Sequence, residues 1–145
     1  MPSETFQATA TTSADPAKVW EGMQRPEVWE GIAGVERVSD PEFHPDGSLA
    51  RFRFAATAAG RSYPGMAEVT ESTPGQSMSL QLNTSELAAT IALALQGEAS
   101  GTRLTIDVEI RSLTFMASLF FAVVADVLGR GLPAAAEDFA QRIGP

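Results

Sequence analysis

The sequence predicts an α+β domain built from about seven antiparallel strands, with two short helices after the first strand and one long helix at the C-terminal end. Three observations carry this. Six segments between Val35 and Arg111 alternate apolar with polar or small side chains at a period of two. Turn chemistry such as "HPDGS" and "STPGQ" separates them closely enough for an antiparallel order. The last 33 residues, from Leu113, hold the only long helical stripe, and a sheet with one wet face needs such a cover for the other.

Thr5 to Thr11, "TFQATAT", reads as a half-buried strand with Phe6, Ala8 and Ala10 on one side. In "SADPAKVWEGM", Asp15 is a good N-cap and Pro16 fits the first helical position. Ala17, Trp20 and Met23 then share a face. "RPEVWEGIAG" restarts at Pro26, buries Val28, Trp29 and Ile32, and can stop at a left-handed Gly34. "VERVSDPEF" is a strand ending near Pro41. "LARFRFAAT" sets Phe52 and Phe54 against Arg51 and Arg53. "RSYPGMAEVTES" is a strand with an expected bulge at Pro64-Gly65. "SMSLQLN" places Met78, Leu80 and Leu82 together, and "ATIALALQGEA" does the same for Ile91, Leu93 and Leu95. "TRLTIDVEIR" sets Leu104, Ile106, Val108 and Ile110 opposite Thr105, Asp107, Glu109 and Arg111. Ser112 can cap the final helix. Its inward stripe reads Leu113, Met116, Phe120, Val124 and Val127, with Thr114, Ser118, Ala122 and Ala125 roughly opposite. Gly129, Gly131 and Pro133 should kink or loosen it, and Ala135, Phe139 and Ile143 resume an apolar stripe.

The chain has 145 residues, with no internal linker or repeat, so residues 1–145 read as a single domain. A net charge of −8, with Lys18 the only lysine, argues against nucleic acid and anionic membrane surfaces as partners. There is no cysteine, which excludes disulfides, thiolate catalysis and cysteine zinc sites. No basic segment followed by an apolar run opens the chain, so a cytoplasmic location is expected. Leu113 to Ala125 carries no charge but spans only 13 residues, against about 20 for a membrane span, so none is expected.

This order of elements resembles the START-like helix-grip superfamily (SRPBCC), which includes polyketide cyclase/dehydrase and lipid-transport proteins. "ATTSADPAKVWEGMQRPEVWEGIAGVERV" looks like its opening, and "FMASLFFAVVADVLGRGLPAAAEDFAQRIG" is similar to its closing helix. The branches that resemble a carbon-monoxide-dehydrogenase subunit and the polyketide cyclases look closest. The resemblance covers essentially the whole chain. It implies a helix-grip fold: a curved sheet wrapped around the last helix, with an apolar cavity between them. The basic residues usual between the second helix and second strand are sparse here, which weakens any membrane-recruiting role.

The cavity wall expected on this basis comprises Phe52, Phe54, Tyr63, Met78, Leu80, Leu82, Ile91, Leu93, Leu95, Leu104, Ile106 and Val108 of the sheet. Met116, Phe120, Val124 and Val127 complete it from the helix. The same side chains could instead fill a solid core. Ala8, Ala10, Ala56, Ala67 and Ala89 leave room where larger residues would close it. Trp29 is a candidate for the cavity mouth or a core anchor beside Trp20. Tyr63 could point its hydroxyl at a ligand. His44, the only histidine, sits in a turn and reads as solvated surface, with no second histidine for a zinc site. Asp107 and Glu109 share the wet face beside Arg111. Asp126 and Arg130, four apart, read as a surface pair. "GRG" at Gly129 lies in or after a helix, not between strand and helix as a phosphate loop requires.

The leading functional expectation is a binding domain for a small hydrophobic or amphipathic ligand: a lipid, polyketide or aromatic metabolite. No catalytic residue, metal ligand or cofactor is assigned. The alternatives are a cyclase, dehydratase or hydrolase on the same fold, and a ligand-free interaction or assembly protein. In the last case Phe115, Leu119 and Phe121 would form a docking strip that could also make a homodimer. The glycine–proline cluster would be either a gate for ligand entry or a fixed kink.

Overall fold

A computed structural model describes residues 2–58 and 60–143. The elements run β1 (Ser3–Thr12), α1 (Pro16–Met23), a 3-10 turn (Pro26–Trp29), β2 (Val35–Phe43), β3 (Leu49–Ala58), β4 (Arg61–Thr73), β5 (Ser77–Thr84), β6 (Leu87–Glu98), β7 (Gly101–Ser112) and α2 (Phe115–Ile143). All seven strands form one antiparallel sheet in the order β1-β7-β6-β5-β4-β3-β2. The sheet curves around α2, which runs along β1 and β7.

Local chemistry explains the elements. Asp15 caps α1 by accepting the Lys18 amide at 2.9 Å, and Pro16 opens the helix. The α1 face that packs inward is Val19, Gly22 and Met23; Ala17 is exposed and Trp20 half-buried. At the β2 edge, Arg37 and Asp40 adopt φ of 48° and the pairing with β3 shifts register around them. Such bulges bend an edge strand away from further pairing.

The register of the sheet core follows the alternation. Phe52 is 1% exposed and Phe54 5%, while Arg51 and Arg53 face water. Across the sheet, Met78 pairs with Leu93, Leu80 with Ile91, Leu93 with Ile106 and Leu95 with Leu104. These side chains form the packed floor. β4 passes through Pro64-Gly65 without a break, and its irregularity falls between Val69 and Glu71. Pro64 lies just outside the β4–β5 ladder, which begins at Gly65, so the ladder loses no bond to it. Gly65 is required by close approach: a Cβ there would lie 2.4 Å from the Phe54 ring.

α2 is one continuous helix with Pro133 inside it. Thr114, not Ser112, supplies the cap: its Oγ1 accepts the Ala117 amide at 3.0 Å. Ser112 is instead buried, with its hydroxyl bonded to the Thr114 carbonyl and Ser118 Oγ. The buried stripe is Phe121, Val124, Ala125, Leu132, Ala136, Phe139, Ala140 and Ile143. The stripe expected from the sequence is therefore out of phase. Leu113, Met116, Phe120 and Val127 are 44–63% exposed, and Ala125, expected outside, is 1% exposed. The reason is continuity. A helix that does not break at Pro133 carries the phase of Phe139 and Ile143 back through Leu132 to Phe121. By length and composition α2 could cross a membrane; here it is the helix the sheet grips.

Candidate functional site

The two halves of α2 are held very differently. Near its C-terminal end the Phe139 ring meets Trp29 at 5.0 Å between centroids, and the Trp29 Nε1–H donates to the Met23 carbonyl at 3.1 Å. Arg142 Nη2 donates to the Glu30 carbonyl at 2.6 Å, and Arg25 Nη2 donates to the Arg142 carbonyl at 3.2 Å. This end is dense. Trp29 is completely buried in it and does not stand at a cavity mouth. An amphipathic segment alone leaves either position open to the indole. The hydrogen bond and the Phe139 contact make it the anchor of the packed end.

The N-terminal half of α2 lies over a gap. A chamber of about 40 Å³ sits beneath it, between β3, β4 and the β5–β6 turn. Its walls include Phe54, Leu82, Ile110, Val124 and Leu128, and its small residues Ala33, Gly34, Ala56 and Ala89 leave the space. In front lies a wider groove of about 460 Å³, lined by Arg61, Tyr63, Glu86, Leu87, Met116, Ala117, Phe120 and Val124. Tyr63, Leu87 and Val124 line both spaces, so the chamber opens directly behind the groove. The chamber has room for only a few waters. The groove has the size of a small-molecule site.

The polar groups around these spaces differ in their engagement. Thr84 Oγ1 closes the β5–β6 turn: it donates to the Leu87 carbonyl at 2.9 Å and accepts the Leu87 amide at 3.0 Å. The Glu86 carboxylate accepts from Thr114 Oγ1, which ties this turn to the start of α2. Among the described residues no hydrogen bond or ion pair engages the side chains of Tyr63 and Arg61. Two unengaged polar groups therefore stand beside apolar walls. Such a site can bury an apolar body and orient it by one or two hydrogen bonds or a charge.

The sequence-derived wall divides into three sets. Phe54, Tyr63, Leu82 and Val124 line the chamber, and Tyr63, Val124, Met116 and Phe120 line the groove. Phe52, Met78, Leu80, Ile91, Leu93, Leu95, Leu104, Ile106 and Val108 pack into the core or against it and reach neither space. Val127 is 63% exposed and also lines neither. The sequence pattern does not point to Arg61, Glu86, Leu87, Ala88, Ile110 or Leu128. Of the small residues expected to leave room, Ala56 and Ala89 line the chamber, whereas Ala8, Ala10 and Ala67 pack in the core. His44 is exposed in its turn. Asp107 accepts from Gln7 at 2.7 Å, Glu109 pairs with Arg111 at 3.0 Å, and Asp126 with Arg130 at 3.1 Å. Asp46, beside His44, accepts from both the hydroxyl and the amide of Ser48, which holds its carboxyl below the usual range. No group of three His, Cys, Asp or Glu residues among the described ones could hold a metal ion.

No family model and no curated protein sequence matches this chain. Solved structures do match over nearly its whole length. A START superfamily protein from Mycobacterium smegmatis has a TM-score of 0.71 at 12% identity, covering 96% of each chain. A protein from Thermus thermophilus has 0.75 at 14% identity, covering 97% of each. The ZhuI aromatase/cyclase from Streptomyces sp. R1128 has 0.71 at 12% identity, covering 97% of this chain and 95% of that one. With the sheet order, the gripped helix and these likenesses together, the chain has the START-like helix-grip fold.

Proposed function

We propose that this protein binds one small hydrophobic or amphipathic molecule, a lipid, polyketide or aromatic metabolite, in the groove between α2, β4 and the β5–β6 turn. The observation that carries the reading is the ligand-sized groove itself, whose apolar walls meet the unengaged Tyr63 and Arg61 side chains. Burying roughly 300 Å² of apolar ligand surface is worth about 7 kcal/mol before the costs of association. That leaves specificity to the polar pair. The helix-grip fold supports a ligand between sheet and helix, since the aromatase/cyclase neighbour shares this architecture.

Titration with N-phenyl-1-naphthylamine, an uncharged fluorescent probe, tests the reading. Saturable binding at one site per chain is expected. Ala117→Trp should fill the groove and weaken binding at least tenfold with little change in thermal stability, because Ala117 lines the groove. Absence of saturable binding, or binding indifferent to Ala117→Trp, would sink the proposal.

A further inference from the structure

The outward face of α2 changes character halfway along. Its C-terminal half shows water Arg130, Glu137, Asp138 and Gln141, as a surface helix should. Its N-terminal half shows Phe115, Met116, Leu119, Phe120, Val123 and Val127, each 51–73% exposed. At 3.6 residues per turn these six fall within one arc of about 140°, opposite the buried stripe, over a length of about 18 Å. Asp126 and Arg130 lie on the same arc and close the strip with an ion pair of 3.1 Å.

We propose that this strip is the interface of a homodimer in which two copies of α2 pair antiparallel about a two-fold axis. Size and charge argue for a second copy. The six side chains expose on the order of 700 Å² per copy, close to the ~800 Å² per partner of a standard interface and above what monomers usually leave bare. A two-fold pairing is self-complementary, so one strip suffices. Centring the strip on itself brings Arg130 of one copy level with position 112 of the other, two positions before Thr114. The Glu86 carboxylate sits there, bonded to Thr114 Oγ1. Arg130 is 80% exposed and of opposite charge to Glu86. A lipid surface fits less well. The net charge is −8, and Arg130 is the only cation between residues 115 and 130. Met116 and Phe120 belong to both the strip and the groove wall. The second copy therefore roofs the groove and brings Arg130 to its rim.

Sedimentation velocity across a wide concentration range reads the association. The wild-type protein should sediment as a dimer. Leu119→Glu should raise the dissociation constant at least ~10-fold. The far-ultraviolet circular-dichroism spectrum should stay unchanged, because Leu119 is 59% exposed, and only the dimer's share of the melting temperature should be lost. Arg130→Glu should weaken the dimer, and Arg130→Glu with Glu86→Arg should restore part of the loss. A wild-type monomer at all concentrations overturns the proposal, as does a dimer indifferent to Leu119→Glu. A double variant no tighter than Arg130→Glu overturns the antiparallel register. A monomer that binds phosphatidylcholine vesicles and loses that binding with Leu119→Glu assigns the strip to a lipid surface instead.

Discussion

Gly129 and Gly131 sit two residues apart in the same helix, and the same substitution should move stability in opposite directions. An alanine at Gly131 meets nothing within 4 Å. It should gain the helix-propensity difference, about 1 kcal/mol. An alanine at Gly129 would place its Cβ 2.3 Å from Cε1 of Phe6 and 2.6 Å from Cδ1. The same propensity gain then faces an overpacking cost of about 1–3 kcal/mol, because the β1 ring must move or the helix must lift off β1. The expected net effect is a loss of up to about 2 kcal/mol for Gly129→Ala and a gain of up to about 1 kcal/mol for Gly131→Ala. Urea denaturation at constant m-value separates them. Phe6→Leu should relieve much of the Gly129→Ala penalty, which a double-mutant cycle reads as coupling. Equal stabilisation by both alanines would refute the reasoning, since Phe6 would then not be seated against Gly129. The pair also bears on the gate. If the helix bends to admit ligand, Gly131→Ala alone should slow probe uptake and release, with little change in equilibrium affinity.

Phe139→Ala should cost about 3–5 kcal/mol in chemical denaturation, because the ring is fully buried against Trp29. Phe121→Ala should cost about 3 kcal/mol while Phe120→Ala, compared at concentrations where the chain is monomeric, stays within about 0.5 kcal/mol, since Phe121 is 5% exposed and Phe120 is 51% exposed. Comparable losses from the two would contradict the observed helix phase. Asp46 should titrate below an ordinary carboxylate by NMR, because Ser48 hydrogen-bonds its charged form. A depressed folded pKa means its contribution is present at neutral pH and fades as the pH falls through that pKa. Ser48→Ala should move the titration back toward the ordinary value.

The sheet is legible in the sequence because a period of two leaves few alternatives. Phe52 and Phe54 inside with Arg51 and Arg53 outside is the only arrangement of that strand that buries no charge. The helix phase is not legible, for a physical reason. From Leu113 to Ala125 every face carries apolar residues, so several stripes satisfy a period of 3.6 equally. Assuming a break at Pro133 then removes the one constraint that decides, the phase of Phe139 and Ile143. The site suffers the same ambiguity. Hydrophobic alternation marks which face of a strand is inside but not where along the strand the packing stops. Arg61 and Glu86 come together with α2 only through the β3–β4 and β5–β6 turns, contacts that no local pattern encodes.

What ends the packing is visible in side-chain size. Where Trp29, Phe139, Met78 and Leu93 supply volume, the concave side of the sheet and the helix close on each other. Toward the other end the sheet contributes Ala56 and Ala89, the adjoining loop contributes Ala33 and Gly34, and the helix contributes only Val124 and Leu128. A void in a core ordinarily costs stability, about 24 cal/mol per Å³ in the T4 lysozyme series that sets the scale. The chamber is small enough to keep that cost near 1 kcal/mol, and the groove avoids it by opening to solvent. Filling is therefore the test of purpose. If the small residues exist only to let the sheet curve, Ala56→Val and Ala89→Val should stabilise the protein without touching probe binding. If they exist to admit a ligand, the same changes should stabilise it and weaken binding together, because the volume they occupy is the volume the ligand needs.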